Sequence, residues 1–148
     1  TAYKVLRHQH VPEIRGFLAG LGEAPPIAFV PVSAPIDRGI LARCIVPCSP
    51  EVAARAVLVD ASAHHPLIRV RTESPELRHV RGSALCALAV FRQDDPDAGG
   101  TDGVIAVLSA IDNLGRGAAA QAVQALEVAL DLAAPATPSP LRAAPLLP

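Results

Sequence analysis

Residues 83–110 read SALCALAVFRQDDPDAGGTDGVIAVLSA, which is two apolar runs separated by a segment rich in Asp and Gly. The runs at 83–92 and 103–110 have the length and composition of strands. The polar segment at 94–102 is typical of a turn-rich loop, so the two runs are expected to form a hairpin. The chain is therefore expected to be built around a sheet.

Elements of both kinds are predicted on either side of this hairpin from apolar periodicity and from the positions of prolines and glycines. Extended segments are expected at 2–7, 27–32, 39–46 and 67–72, and helices at about 12–22, 49–64 and 112–132. Strands and helices that do not strictly alternate favour an α+β fold over a doubly wound sheet. We expect a mixed, mostly antiparallel sheet with helices on one face in residues 1–132, and an extended tail in the proline-rich residues 133–148.

The composition argues against several classes of protein. Hydrophobic residues make up 51% of the chain, enough for a folded core, and a formal net charge of -1 without a basic block argues against a nucleic-acid-binding surface. No apolar run approaches the roughly 20 residues of a membrane-spanning helix. The three cysteines and five histidines lack the spacing of a disulfide framework or a zinc site, so no metal, reduced thiols and a cytoplasmic location are expected.

Two imidazoles, His8 and His10, stand immediately before a predicted helix that has Pro12 at its start. Side chains two apart in an extended segment point to the same side, so both rings could face one cavity. Histidine titrates near neutral pH and can transfer protons there. From the residues alone, two surface histidines before a helix are the more common arrangement, and a catalytic pair is the alternative.

Polar residues at the heads of two other elements are further candidates. Arg38 precedes the strand at 39–46, where its guanidinium could bind a carboxylate or phosphate, or simply pair with Asp37 or another carboxylate. Asp112 is expected to cap the last helix, whose free N–H groups favour an anion or a polar cofactor group. Cys86 lies in an apolar run and is interpreted as a buried strand residue, not as a nucleophile.

Five short segments form a recognisable pattern when they are taken in order. They are His8–Ile14, Asp37–Leu41, His65–Val70, Val80–Cys86 and Ile111–Gln124. Together they resemble the C-terminal half of N-acetyl-gamma-glutamyl-phosphate reductase, the NADPH-dependent acyl-phosphate reductase of arginine biosynthesis. The resemblance implies that residues 1–132 fold like the C-terminal catalytic and oligomerisation domain of glyceraldehyde-3-phosphate-dehydrogenase-like reductases.

The resemblance also implies roles for individual residues. The family's catalytic histidine falls on His10, with His8 close behind, and serves as acid or base when a cysteine thiolate attacks the acyl phosphate. Arg38 would contact the substrate. Asn113 would lie near the nicotinamide amide of NADP, and Gly117 in the same segment is the second expected cofactor contact.

The half of the enzyme that carries the cofactor fold has no counterpart in this chain. No G-x-G-x-x-G follows a predicted strand, and the family's reactive cysteine belongs to that other half. The isolated chain is therefore expected to be inactive, with an acyl phosphate as the substrate of the complete enzyme and another copy or a Rossmann-domain subunit as partner. The alternatives are a non-catalytic remnant, an assembly or regulatory domain for a separate Rossmann subunit, or a reductase for a related acyl phosphate. Divergence is visible at Cys86–Ala89, where the family typically has Cys-Asp-Ile-Gly.

Overall fold

The structure, a computed structural model, describes residues 1–48, 53–94 and 103–132. The chain divides into two compact units, the first formed by Thr1–Asp37 and the second beginning at Arg38. The predicted tail at 133–148 and the start of the second predicted helix at 49–52 lie outside the described residues. The domain boundary at residue 132 therefore stays a prediction.

The first unit contains one helix, α1, at His10–Ala19. It begins two residues earlier than predicted, so His10 is its first residue and Pro12 its third. Pro12 is accommodated there because the first four N–H groups of a helix have no partner within the helix. His10 is therefore helical, and the prediction that His8 and His10 lie on one extended segment is wrong.

The two extended segments predicted in the first unit do not form regular strands. A single antiparallel bridge joins Ala2 to Val32, and the N–H of Leu6 donates to the carbonyl of Phe29 at 3.0 Å. Lys4 and Leu6 have φ angles of 45° and 56°, in the left-handed region. These two residues turn the backbone away from the pleat, so the pairing cannot continue into a ladder.

The second unit is built on a four-stranded sheet. Its strands are β1 at Ile40–Cys48, β2 at Ile68–Arg71, β3 at Cys86–Asp94 and β4 at Gly103–Ile111. Their order is β1-β4-β3-β2, in which β4 is antiparallel to both β1 and β3, and β2 is parallel to β3. The predicted hairpin is confirmed, with Asp94 opposite Gly103. The prediction of a mixed, mostly antiparallel sheet is also confirmed.

In the described part of the second unit, two α-helices accompany the sheet, α2 at Ala54–Ser62 and α3 at Ala120–Ala129, which confirms the α+β class. Within the described parts of the chain, no helix is long and apolar enough to cross a bilayer.

The core lies beside β3 and β4 and is made mostly of small aliphatic side chains. One buried cluster joins Leu67, Ala84 and Ala120, and a second joins Val80, Ala87 and Ala110. Among the described strands, β1 lies at one edge of the sheet, and its Leu41 and Ile45 are exposed by 58% and 57%. Apolar surface is therefore concentrated at the β1 side of the sheet.

Candidate active-site residues

The loop that follows β4 carries Asp112, a carboxylate that is fully buried at 0% exposure. Its Oδ1 accepts hydrogen bonds from the N–H groups of Leu114 and Gly115, both at 2.9 Å. These contacts satisfy backbone groups at the start of the last helical segment. Asp112 therefore binds N–H groups at the start of this segment, but the N-cap position that was predicted for it is occupied by Leu114, which makes no side-chain cap hydrogen bond.

The second oxygen of Asp112 binds two other parts of the chain. Oδ2 accepts the N–H of Gly82 at 2.6 Å and lies 2.8 Å from Nε of Arg38. Burial is the largest single influence on this carboxyl and raises its pKa. The hydrogen bonds from Gly115, Gly82 and Leu114, together with the ion pair with Arg38, outweigh burial and hold the pKa of Asp112 below the ordinary 3.8. The carboxylate is therefore ionised at neutral pH and joins three segments.

Arg38 is thus found in a buried ion pair, with its side chain exposed by 22%. This is the simple pairing with a carboxylate that the sequence left open, and the partner observed is Asp112. A guanidinium carries five N–H donors, so an ion pair at Nε does not use up its capacity to bind an anion.

Asn113 is anchored to the start of β1. Its Oδ1 accepts the N–H of Gly39 at 2.6 Å. Gly39 has a φ of 125°, and a Cβ there would lie 2.8 Å from both methyl carbons of Leu77. Glycine is required at this position, and the link leaves the NH2 group of Asn113 as the part of its side chain that could face a ligand.

Gly117 lies in a π-helical turn, Gly115–Ala119, that precedes α3. Its N–H donates to the carbonyl of Asp112 at 3.0 Å, and the N–H of Ala119 donates to the carbonyl of Leu114 at 3.2 Å, both across five residues. The predicted continuous α-helix over 112–132 is therefore wrong at both ends. It begins as this wider turn, and α3 ends at Ala129 before Asp131, whose φ is 52°.

The predicted substrate and cofactor residues of the second unit lie at one corner of the sheet. Ile40 of β1 is paired with Ile111 of β4, so the segment at 38–39 lies next to the segment at 112–113. The link from Arg38 to Asp112 and the link from Gly39 to Asn113 connect the same two segments. We call this arrangement the 38/112 corner.

The two predicted catalytic histidines lie close together in the first unit. Their ring centroids are 4.4 Å apart, and the N–H of His10 donates to Nδ1 of His8 at 3.3 Å. His10 is exposed, whereas His8 is exposed by only 8%. Burial, helped by the nearby positive charges of His10 and Lys4 and opposed by Glu13, lowers the pKa of His8 below the ordinary 6.5. The two rings are close because α1 begins at His10, two residues after His8, and not because both residues lie on one extended strand.

The sequence did not predict the part played by Gly82. This glycine has a φ of 71°, is buried, and supplies one of the N–H groups that bind Asp112. It lies inside Val80–Cys86, one of the five segments that resemble the reductase family. The signal in the sequence that could have indicated this role is a glycine between two polar residues, Arg81 and Ser83, shortly before β3.

The described cysteines and histidines form no further centre. Cys86 is half-buried, with its Sγ 3.6 Å from Oγ of Ser109, and Cys44 is exposed. Within residues 1–48, 53–94 and 103–132, no three His, Cys, Asp or Glu side chains are grouped as metal ligands would be.

Comparison with known proteins gives one family. A family model described as "Semialdehyde dehydrogenase, dimerisation domain" matches residues 1–113. Three similar proteins, each named N-acetyl-gamma-glutamyl-phosphate reductase, come from Aromatoleum aromaticum, Salinispora tropica and Streptococcus mutans. They are 39%, 41% and 36% identical over 88%, 89% and 86% of this chain.

In each case the match covers 37% of the relative, so the chain spans little more than a third of the length of these reductases. The family match covers most of the chain, and the 38/112 corner and the two histidines lie in or next to the matched residues. The chain therefore belongs to the semialdehyde dehydrogenase dimerisation-domain family, and its relatives there are N-acetyl-gamma-glutamyl-phosphate reductases.

Proposed function

We propose that this chain is the C-terminal part of an NADP-dependent N-acetyl-gamma-glutamyl-phosphate reductase, a cytoplasmic oxidoreductase of arginine biosynthesis that converts an acyl phosphate to a semialdehyde. The observation that carries the proposal is the 38/112 corner. There the substrate candidate Arg38 and the cofactor candidate Asn113 are held on adjacent backbone by Asp112 and Gly39. Such fixed placement of binding groups is what a reaction between substrate and cofactor requires.

Each candidate has a chemical role in this proposal. His10 moves the proton during acyl transfer and reduction, and His8 is the second candidate for that role. Arg38 binds the phosphate or a carboxylate of the substrate through guanidinium N–H groups that do not contact Asp112. The family's reactive cysteine and its dinucleotide-binding domain are assigned to the part of the enzyme that this chain does not cover.

The residues present fit the nicotinamide end of NADP. The carboxamide of a nicotinamide ring accepts from an NH2 group, which Asn113 can supply because its oxygen is occupied by Gly39. Gly117 is exposed, and a Cβ added there would find its nearest neighbour 3.6 Å away, at Cδ1 of Ile111. Its lack of a side chain is therefore not required by packing and is consistent with close approach of a ligand. When bound, the cofactor would supply the hydride.

A fusion enzyme tests the proposal. The chain is joined to the part of the Aromatoleum aromaticum reductase that the match does not cover, and oxidation of NADPH is followed with N-acetyl-gamma-glutamyl phosphate. We expect turnover that depends on this substrate. A fusion that folds and binds NADPH but does not turn over, alongside an active fusion carrying the relative's own C-terminal part, would refute the proposal.

A second role, self-association, is favoured by the apolar face of the sheet on which Ile45 and Phe91 are exposed. Ile45 and Phe91 flank Ala106 in one row across β1, β4 and β3, so the three side chains share a face. Ile45 and Phe91 are both exposed. A row of exposed apolar side chains on a sheet is typical of an interface. We propose that this face contacts a second copy, or a Rossmann-domain subunit in an assembly-only version of the protein.

A further inference from the structure

His8 is enclosed by aromatic rings. The centroid of its imidazole lies 5.8 Å from that of Tyr3, 5.3 Å from that of Phe29 and 4.4 Å from that of His10. Only 8% of the residue is exposed. His10 is exposed and stands at the first position of α1. The two histidines therefore have different environments although they are two residues apart.

The hydrogen bond between the two residues fixes the chemistry of the buried ring. The N–H of His10 donates to Nδ1 of His8 at 3.3 Å. An imidazole nitrogen that accepts a hydrogen bond carries no proton, so a neutral His8 must carry its proton on Nε2. The N–H of Val11 meanwhile donates to the carbonyl of His8 at 3.1 Å. His8 thus satisfies two of the N–H groups at the start of α1 that have no partner within the helix.

The charges around His8 also favour its neutral form. Burial is the largest influence, and the neighbouring His10 and Lys4 act in the same direction by repulsion, so the pKa of His8 is lowered. Glu13 acts in the opposite direction and does not outweigh them. Tyr3 contacts the ring edge-on. A ring held neutral in this way is poorly suited to take up a proton during a reaction.

We propose that His8 is a positioning residue that orients His10, with its ring held as the Nε2-protonated tautomer. The positioning role of His8 rests on the proposed function, because in that function His10 is the proton-transfer group. The tautomer and the orientation themselves can be measured on this chain alone. The hydrogen bond fixes the backbone of His10, and the edge contact between the rings restricts its side-chain rotamers. Small displacements of a reacting group cost large factors in rate, so such support is functionally significant.

Two matched substitutions separate the roles of the two ring nitrogens. In His8→Asn, the side-chain amide oxygen takes the place of Nδ1 and can still accept from the N–H of His10. In His8→Gln, the amide group falls instead near the place of Nε2. The tests use the 148-residue chain.

The first measurement is the tautomer of His8, read from side-chain ¹⁵N–¹H correlation spectra of the unsubstituted chain above neutral pH. We expect an unprotonated Nδ1 and a protonated Nε2. A proton on Nδ1 would overturn the proposal, because that nitrogen could not then accept from His10.

The second measurement is hydrogen exchange of the His10 amide, together with the contact between the rings of His10 and Phe29, whose centroids are 6.1 Å apart. We expect both to be retained in His8→Asn. In His8→Gln we expect exchange faster by about fivefold or more, the scale of one lost hydrogen bond, and loss of the ring contact. Equal behaviour of the two variants would overturn the proposal. If the Gln variant unfolds the first unit, loss of native exchange in a folded Asn variant would overturn it equally.

The fusion enzyme provides the functional readout. We expect His8→Asn to keep at least about tenfold more kcat than His8→Gln, with similar KM values, since effects of this size follow from misplacing an acid/base group. Equal loss of kcat in both variants would mean that His8 itself transfers protons. A fusion without reductase activity would refute the proposed function, whereas the tautomer and the exchange rates would still decide the role of His8.

Discussion

Nε of Arg38 lies 2.8 Å from Oδ2 of Asp112, 74 residues further along the chain, and that carboxylate is completely buried. A buried charge is tolerated only when donors surround it. Arg38 and three backbone N–H groups do so here. Arg38 therefore has a structural task in addition to any contact with substrate, and substitutions in the 38/112 corner must be interpreted through both.

Asp112→Asn should destabilise the chain by about 3–5 kcal/mol, the usual cost of removing one member of a buried pair. Whichever way the amide is turned, its NH2 group faces N–H donors, either those of Leu114 and Gly115 or those of Gly82 and Arg38. Urea unfolding measures the change. Glu76→Gln is the matched control, because its pair with Arg78 is exposed and such pairs contribute about 0–1 kcal/mol. Equal effects of the two substitutions would contradict the interpretation.

The contribution of Asp112 should depend on pH in one direction. Its pKa in the folded chain is below the ordinary 3.8, so its stabilisation is fully present above that value and is lost as pH falls through the lower folded-state pKa. The stability difference between the unsubstituted chain and Asp112→Asn should therefore shrink on acidification from about pH 5 to about pH 2.5. Urea unfolding of both proteins at each pH is the measurement. A difference that is constant or grows would show that the carboxylate is not stabilised as described.

Two glycine substitutions should have opposite outcomes. Gly117→Ala should leave the free energy of unfolding unchanged or raise it by about 0.5–1 kcal/mol, since there is room for a methyl group and alanine favours helix. Gly39→Ala should destabilise, because the new methyl group would lie 2.8 Å from Leu77 at a φ of 125°. In the fusion enzyme, Gly117→Ala should nevertheless raise the KM for NADPH. An unchanged KM would remove Gly117 from the cofactor contacts.

The isolated chain should not reduce N-acetyl-gamma-glutamyl phosphate, and in the fusion enzyme His10→Ala should lower kcat by roughly 10²–10⁴, the scale for loss of an acid/base group. His8→Ala should cost less. His64→Ala, at an exposed position after α2, is the control and should keep normal turnover. Near-normal turnover of His10→Ala would refute the catalytic assignment, and turnover by the purified chain alone would refute the prediction that it is inactive in isolation.

Self-association should depend on the apolar face of the sheet on which Ile45 and Phe91 are exposed. We expect the unsubstituted chain to sediment as a dimer or larger species at micromolar concentration, and Ile45→Lys to sediment as a monomer. Lysine is tolerated at an exposed edge-strand position but opposes burial in an interface. The control is Val57→Lys on α2, where the exposure of 60% is similar to the 57% of Ile45. A monomeric unsubstituted chain in analytical ultracentrifugation would contradict the prediction.

The sheet was predictable because its strands are apolar runs bounded by turn-forming residues. That Asp112 binds N–H groups at the start of the last helical segment was predictable because Asp precedes a helix, whereas the N-cap position itself is Leu114. Local hydrogen bonds mark where the helices differ from the predicted pattern. The helix α1 begins at His10, whose N–H donates to Nδ1 of His8, and hydrogen bonds across five residues form a π turn at the start of the last helical segment.

The candidate site was likewise predictable only in part. Arg38, Asn113 and Gly117 were identified by resemblance, and the structure brings the segments that hold them together. The hydrogen bond from Gly82 to Asp112 could not be predicted. The two residues are 30 positions apart in the chain, and a single sequence does not show which distant residues are close in space. The unequal burial of His8 and His10 likewise depends on Phe29, which is distant in sequence.

The parallel pairing of β2 with β3 requires the segment between them to return along the sheet, and this segment delivers Gly82 to Asp112. The buried carboxylate therefore receives its two distant donors, Arg38 and Gly82, only after β1, β4 and that return segment have all been assembled. Contacts between distant parts of a chain form late in folding because loop-closure entropy opposes them. Loss of Asp112 should consequently accelerate unfolding in stopped-flow experiments while leaving the refolding rate almost unchanged. The corner proposed for substrate and cofactor would then set the unfolding rate of the chain, and hence the lifetime of its native state.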